Sequence, residues 1–247
     1  MTGDRQGQLC CWQFQGDRWQ PRTLAKLNTA IAHLLFSPTG EVLLVADEEG
    51  QFHQWNWSRQ TWQGIWRDHP AKVNCLAFSH DGKTLASGDS QGRLKLWDWP
   101  TQTHLRTLSQ QPGAITAIAW LLGDDILVTA GWDVTLRWRC PQTGGTFHIE
   151  KAAGFYLPVR SLLAHPTERW VMAGSQDGQL QLWASDGQPD SSVMGHWAVI
   201  QSATLNGAIV ALRSEAVTLE GDRGFFSLTS SGNLTHWSWP PSGQRRP

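Results

Sequence analysis

The chain has 247 residues, of which 40% are hydrophobic and 17% are charged, and it contains 24 glycines. Its 20 basic and 21 acidic side chains give a formal net charge of −1, so no overall field attracts nucleic acid or an anionic membrane surface. No apolar run approaches the ~20 residues of a membrane-spanning helix, and the opening MTGDRQGQLCCWQF lacks the basic start and apolar stretch of a secretion signal. We therefore expect a globular, cytoplasmic protein that binds neither nucleic acid nor membranes.

In chain order, the sequence repeats one pattern: an apolar run, a polar turn, a second apolar run, a turn with glycine, and an alternating segment that ends in tryptophan. Matching segments begin at Ile31, Val73, Ile115 and Val159, and partial ones lie near both ends. The closing positions of the six copies are Trp12, Trp55, Trp97, Arg139, Trp183 and Trp237. Successive differences between these numbers are 43, 42, 42, 44 and 54, so the period is near 42 until the last copy.

Each copy is predicted to form short antiparallel strands, because its apolar residues alternate with a period near two between clusters of Gly, Asp, Ser and Pro. One such unit cannot bury both of its faces, whereas tandem units stacked face to face can. The predicted fold class is all-β: a β-propeller of four-stranded antiparallel blades, with four complete blades and two partial ones. The predicted units are 1–27, 28–68, 69–111, 112–155, 156–196 and 197–240 in one domain, followed by a tail at 241–247.

Both ends of the repeat array are predicted to be incomplete. The first unit matches only the third and fourth strands of the pattern, and the last matches the first three. Seven units of this period would need roughly 290 residues. Two interpretations stay open: the chain is the later part of a longer protein, or it closes as a ring of five or six blades with a spare strand. Unpaired strand edges would favour self-association.

The repeats resemble the WD-40 family, in which a Gly-His pair opens the unit and a Trp-Asp pair closes its third strand. In the third copy His69, Ser87, Trp97 and Asp98 stand at the family's positions, but Gln91 replaces its turn aspartate. The resemblance implies structural roles for these four residues and for their counterparts in other copies, which are Thr129, Asp133, Asp177, Trp183, Trp12, Trp55 and Trp237. Because family members link such side chains by hydrogen bonds, the substitutions predict a weakened network here.

The resemblance also implies a non-catalytic scaffold for a protein or peptide partner. The binding face would carry the loops between the second and third strands and those that join successive units. Side chains in these loops that packing does not require are Trp132, Arg160, Lys72, Asn74, Glu48 and Gln176. Trp132 is the strongest candidate, because an indole in an exposed turn has no packing role and Trp and Arg are enriched at interaction hot spots.

Other function classes find less support in the sequence. It has no Gly-rich phosphate loop or paired carboxylates, and its nine histidines and four cysteines show no metal-ligand spacing, so we expect no enzyme activity, cofactor or metal. A small-molecule or glycan-binding propeller would repeat one exposed aromatic in every copy, and only Trp132 fits. A regulatory propeller that follows a kinase or peptidase domain, as in bacterial members of the family, remains the alternative, and the Trp- and Gln-rich composition is typical of a bacterial chain.

Overall fold

The computed structural model describes residues 1–67, 69–121, 123–152, 154–165, 168–185, 197–214 and 224–238. All 22 elements in these ranges are strands, and the same ranges contain no helix long and apolar enough to cross a membrane. The strands are β1 (Thr2–Gly3), β2 (Gln8–Gln15), β3 (Arg18–Lys26), β4 (Ile31–Phe36), β5 (Val42–Asp47), β6 (Gln51–Asn56), β7 (Thr61–Arg67), β8 (Val73–Phe78), β9 (Thr84–Asp89), β10 (Leu94–Asp98), β11 (Thr103–Leu108), β12 (Ile115–Trp120), β13 (Leu127–Gly131), β14 (Thr135–Arg139), β15 (Thr146–Lys151), β16 (Val159–Ala164), β17 (Trp170–Ser175), β18 (Gln179–Ser185), β19 (Trp197–Thr204), β20 (Ile209–Ser214), β21 (Gly224–Thr229) and β22 (Leu234–Ser238).

Consecutive strands pair in antiparallel order to form six sheets. The first sheet contains β1 to β3, the second β4 to β7, the third β8 to β11, the fourth β12 to β15, the fifth β16 to β19 and the sixth β20 to β22. The predicted all-β class with antiparallel sheets is thus confirmed.

The first sheet has three strands rather than the two predicted. Thr2 and Gly3 pair with Cys10 and Leu9, so the short β1 takes the place of the second strand of the pattern. The predicted count of four complete and two partial blades is corrected accordingly: the described residues form six sheets, of which the first and the sixth have three strands. A two-residue strand gives no periodicity, which is why the sequence pattern did not indicate it.

The fifth sheet ends later than predicted. Its outermost strand is β19, in which Trp197 pairs with Ser185 and Val199 pairs with Trp183. The predicted boundary between 196 and 197 therefore separates this strand from its own sheet, and the sixth sheet begins at Ile209. Residues 186–196, which stand between β18 and β19 in the sequence, lie outside the described residues, as does the predicted tail at 241–247.

Inner and outer strands of a sheet differ in burial in the way that stacked sheets require. In the third sheet β10 is buried along nearly its whole length. The outer strand β7 of the second sheet instead alternates between exposed and half-buried side chains. The segment that ends in the closing tryptophan is therefore a largely buried strand, and the strand that follows it is the more exposed outer one.

The chain separates into two compact units, which we call unit 1 (Met1–Ile115) and unit 2 (Thr116–Pro247). Unit 1 has one apolar cluster between its first and second sheets and another between its second and third. The first cluster includes Leu9, Leu27, Leu43, Val45 and Trp55, and the second includes Leu44, Phe52, Val73, Leu85 and Trp97. Unit 2 is built in the same way. Its clusters include Val128, Trp138, Val159 and Trp183 between the fourth and fifth sheets, and Met172, Leu182, Ile209 and Phe225 between the fifth and sixth.

The closing tryptophan of a copy packs against the preceding sheet. Trp97 meets Phe52 at a ring-centroid distance of 5.6 Å, and Trp183 meets Trp138 at 5.7 Å. The expectation that every closing indole is buried is wrong for Trp12, whose side chain is 43% exposed. It belongs to the first sheet of unit 1, and among the described residues of that unit no earlier sheet covers its face.

Candidate partner-binding surface

Six equivalent turns join the second and third strands of the sheets, and three of the predicted surface residues lie in them: Glu48, Trp132 and Gln176. The third residue of five of these turns is a glycine with a positive φ: Gly7, Gly50, Gly92, Gly178 and Gly232. The fourth sheet has Val134 there, with a φ of 58°. A β-branched residue in this conformation is strained, at a cost on the order of 1–3 kcal/mol. The turn that carries Trp132 is therefore unlike its five counterparts.

In unit 1 an aspartate at the end of each second strand holds the turn. The Oδ1 atom of Asp89 accepts the backbone N–H of Gln91 at 2.9 Å and of Arg93 at 2.8 Å. Asp4 and Asp47 accept the equivalent pairs of N–H groups in the first and second sheets. None of these aspartates was among the predicted structural residues. Their signal in the sequence is an Asp three positions before the turn glycine in each of the first three copies.

Asp89 also completes the hydrogen-bond network of the third sheet, in which His69 lies between two strand residues. His69 Nε2 is 2.7 Å from Ser87 Oγ and its Nδ1 is 3.1 Å from Asp89 Oδ2, while Trp97 donates its indole N–H to Ser87 at 2.8 Å. The carboxylate that Gln91 does not provide thus comes from Asp89. Burial raises the pKa of Asp89, but the hydrogen bonds from His69, Arg93 and Gln91 outweigh it, so the pKa lies below its ordinary value.

A hydroxyl ten residues before the closing side chain receives its N–H in four copies. The pairs are Trp12 with Thr2, Trp97 with Ser87, Arg139 with Thr129, and Trp237 with Ser227. Val45 and Ala173 occupy that position in the other two copies, and the indole N–H groups of Trp55 and Trp183 are buried there without a hydrogen-bond partner. The large closing side chain is therefore present in all six copies, whereas the hydrogen bond to its N–H is present in four.

The remaining structural candidates lie in the turns or at the end of the third strand. Arg139 replaces the tryptophan of the fourth sheet and is only 1% exposed; burial lowers its pKa to about 10, so it stays charged at neutral pH. Asp133 pairs with Arg137 at 2.5 Å, and Asp177 accepts the Tyr156 N–H at 2.8 Å and the Ser175 hydroxyl. Asp98 accepts the N–H and hydroxyl of Thr101 in the turn after β10, outside the His69 network.

Three of the predicted surface residues meet in unit 2. Arg160 is the extra residue where the pairing of β16 with β17 shifts register, and such a bulge re-aims a side chain. Its Cζ lies 5.9 Å from the Trp132 ring centroid, and its Nε and Nη2 donate to Gln176 Oε1 at 3.2 and 2.8 Å. Trp132 is 57% exposed. We call the group of Trp132, Tyr156, Arg160 and Gln176 the aromatic–arginine patch.

Tyr156 is held beside Gln176 by a backbone hydrogen bond. It was not among the residues predicted from the sequence. Its N–H is bound by Asp177, the residue after Gln176, and its side chain is 84% exposed. Phe155 before it and Pro158 after it are buried, so the backbone of this segment is anchored on both sides of Tyr156. Leu157 is exposed. The signal was available, because Tyr156 is the one tyrosine of the chain and precedes a strand within a predicted loop.

The predicted surface residues of unit 1 have partners within the chain. Lys72 Nζ lies 2.7 Å from Glu48 Oε1 in a solvent-exposed ion pair. Asn74 is at the register shift of β8, like Arg160 in β16, but its amide donates to the Ile115 carbonyl at 3.1 Å and the side chain is half-buried. The structure thus brings Trp132, Arg160 and Gln176 together, pairs Lys72 with Glu48, and places Asn74 in a contact within unit 1.

Comparison of the sequence with known proteins finds similarity to WD repeats. The family model "WD domain, G-beta repeat" matches residues 60–98 and 152–184. WD repeat-containing protein 37 of Mus musculus and of Homo sapiens are each 32% identical to this chain over 79 residues. That match spans 32% of this chain but only 16% of the length of those relatives.

Solved structures share the fold of the chain at low sequence identity. "Crystal Structure of Mitotic Checkpoint Complex" contains a chain similar to 94% of this one, with a TM-score of 0.74, 18% identity and 71% of that chain covered. "Structure of U3-55K" gives a TM-score of 0.71 at 18% identity, covering 88% of this chain and 63% of that one. "Crystal structure of RRP9 WD40 repeats" gives 0.70 at 19% identity, covering 88% and 62%.

Proposed function

We propose, on the premise that this chain belongs to the WD-repeat β-propeller family, that it is a non-catalytic scaffold whose partner, a protein or peptide, binds the aromatic–arginine patch. The observation that carries the proposal is the meeting of Trp132 and Gln176, from two turns of unit 2, with Arg160 at the register shift of β16. Trp, Tyr and Arg are the residue types most enriched at interaction hot spots.

The corresponding loops of unit 1 support binding less well. An exposed ion pair such as Lys72 with Glu48 contributes about 0–1 kcal/mol, and a partner that engages either charge must compete with the other. The Asn74 amide already bonds a backbone carbonyl. These loops of unit 1 therefore offer polar groups that their own neighbours satisfy, while the corresponding loops of unit 2 offer the exposed rings of Trp132 and Tyr156.

The proposal places the protein in the cytoplasm. All four cysteines are unpaired in the structure, and Cys11, Cys75 and Cys140 are buried. Free, buried thiols are typical of reducing compartments, where disulfide frameworks are rare.

The test is selection of a random-peptide library displayed on phage against the immobilised chain. We expect peptides that lose about 2 kcal/mol of binding free energy when Trp132→Ala replaces the wild type, because truncating a central aromatic anchor typically has this effect. The matched control is Trp19→Ala, which removes an indole of similar exposure, 62%, from the first sheet. It is expected to leave affinity unchanged.

Near-ultraviolet circular dichroism of both variants checks that the fold persists, since each removes an exposed ring. Selected peptides that bind wild type and Trp132→Ala equally would remove the patch from the proposal. A library that yields no binders at all would contradict the scaffold function itself.

A further inference from the structure

We infer that the aromatic–arginine patch recognises an acidic peptide segment, whose carboxylate side chain binds Arg160 while neighbouring apolar side chains pack on Trp132 and Tyr156. This inference rests on the proposed function and names the partner's chemistry.

Arg160 is held by neutral groups only. Among the described residues no carboxylate lies within ion-pair distance of it; its partners are Gln176 Oε1 and the face of Trp132. A guanidinium has five N–H donors, and Nε and Nη2 use one each for Gln176. The Nη1 group and the second Nη2 hydrogen remain for a ligand, and these donors suit the two oxygens of a carboxylate.

The carboxylates nearest in the chain are used within their own turns. Asp177 accepts the Tyr156 N–H and the Ser175 hydroxyl, and Asp133 pairs with Arg137 and accepts from Thr135. Burial raises the pKa of Asp177, but its hydrogen bonds, from Ser175 first, bring the pKa below its ordinary value. Asp177 is thus an ionised turn residue that holds Tyr156 in place, and it leaves the guanidinium of Arg160 to an external acid.

The backbone segments that carry the two exposed rings of the patch are constrained. The Trp132 turn keeps Val134 at a positive φ, and strain of this kind is often retained where a side chain must point in a functional direction. Tyr156 lies between the buried Phe155 and Pro158. An exposed ring under the guanidinium and a second exposed ring held at the neighbouring turn fit a peptide that carries apolar side chains beside an acidic one.

The patch contains a single cation, Arg160, and this favours an acidic peptide over a basic peptide or a nucleic acid. A basic peptide would place a like charge against Arg160, which opposes binding. Nucleic acid binding relies on several Lys or Arg contacts to phosphates, whereas the patch contains one cation. A single guanidinium held against one aromatic ring is suited to one carboxylate.

The experiment uses the Trp132-dependent peptides from the phage library, synthesised in pairs that differ only by Glu→Gln or Asp→Asn. Isothermal titration calorimetry of the full chain is expected to give at least tenfold weaker binding for the amide peptide. With Arg160→Gln, the acidic and amide peptides are expected to bind equally, because the charge-assisted bond is gone. Arg160→Lys, which keeps the charge but not the planar fork, is expected to retain part of the preference.

The outcomes distinguish this inference from the proposed function. Trp132-dependent peptides without acidic residues, or an acid preference that persists in Arg160→Gln, would overturn the inference and leave the scaffold function intact. A version with phosphoserine in place of the acid that binds tenfold more tightly would assign the site to phosphate instead of carboxylate. Peptides that do not depend on Trp132 would contradict both.

Discussion

At the residue scale, one polar position decides how well each closing side chain is satisfied. Thr2, Ser87, Thr129 and Ser227 each accept an N–H from the side chain ten residues later, whereas Val45 and Ala173 cannot. A buried donor without a partner costs about 1–3 kcal/mol. Trp55 and Trp183 therefore persist because burying a large apolar ring outweighs that cost.

Val45→Thr is expected to raise the free energy of unfolding by about 1 kcal/mol. Thr has the shape of Val and its Oγ1 would accept the Trp55 indole N–H, as Thr2 does for Trp12. Urea unfolding followed by circular dichroism measures the change. Ala173→Ser gives Trp183 the same partner in unit 2 and is expected to act in the same direction.

Ser87→Ala is the reciprocal change. It leaves the indole of Trp97 and the Nε2 atom of His69 without their shared oxygen, and we expect a loss of about 2 kcal/mol. A Val45→Thr protein that is less stable than wild type by about 1 kcal/mol or more would show that the new hydroxyl is itself unsatisfied. A hydroxyl ten residues before the closing side chain would then not be a general source of stability.

At the element scale, the turn between the second and third strands is built around a close approach of two backbones. A Cβ on Gly92 would overlap the carbonyl oxygens of Gln111 and Gly113, which lie in the loop that leads to the next sheet. Gly7, Gly50 and Gly178 have equivalent carbonyl neighbours. These glycines therefore serve two needs: a positive φ and space for the adjoining loop.

Gly92→Ala is expected to destabilise the protein by more than ~3 kcal/mol, because the strained φ and the overlap with a backbone carbonyl add together. Gly40→Ala is the matched control: its φ of 73° is close to the 80° of Gly92, but no atom lies within 4 Å of the position that a Cβ would take there. The control is expected to cost about 1 kcal/mol, the effect of φ alone. Equal losses in thermal or urea unfolding would contradict the proposed backbone contact.

The repeat predicted most of the strands, because alternation and turn residues respond to burial that stacked sheets impose on every copy. It assigned β19 to the wrong sheet, because a period counts residues and does not report which strands pair. It also missed Asp89, since the family's aspartate position holds Gln91 and only the structure shows a carboxylate two residues earlier reaching His69. The pairing of Trp132 with Arg160 depends on a bulge, which no periodicity encodes.

At the scale of the whole molecule, ionised aspartates in the turns link stability to pH. Burial raises the pKa values of Asp47 and Asp89 in unit 1 and of Asp177 in unit 2, but hydrogen bonds to the ionised form outweigh it, so all three pKa values lie below the ordinary one. Lowered pKa values in the folded state mean that the unfolded chain binds protons first as pH falls. The stabilisation is therefore complete above the ordinary Asp pKa of about 3.9 and is lost below it.

We expect these carboxylates to leave the urea midpoint nearly constant between about pH 5 and 7 and to lower it as the pH drops below about 4.

Asp89→Asn is expected to lower stability at pH 7 by about 2 kcal/mol, since Asp89 binds His69 and two turn amides. It is also expected to reduce the acid-dependent loss, because one of the linked groups is gone. Asp98→Asn removes the same charge from the turn after β10, outside the His69 network, and is expected to change stability at pH 7 by less than about 1 kcal/mol. Parallel pH profiles for Asp89→Asn and wild type would show that Asp89 does not contribute to the acid transition.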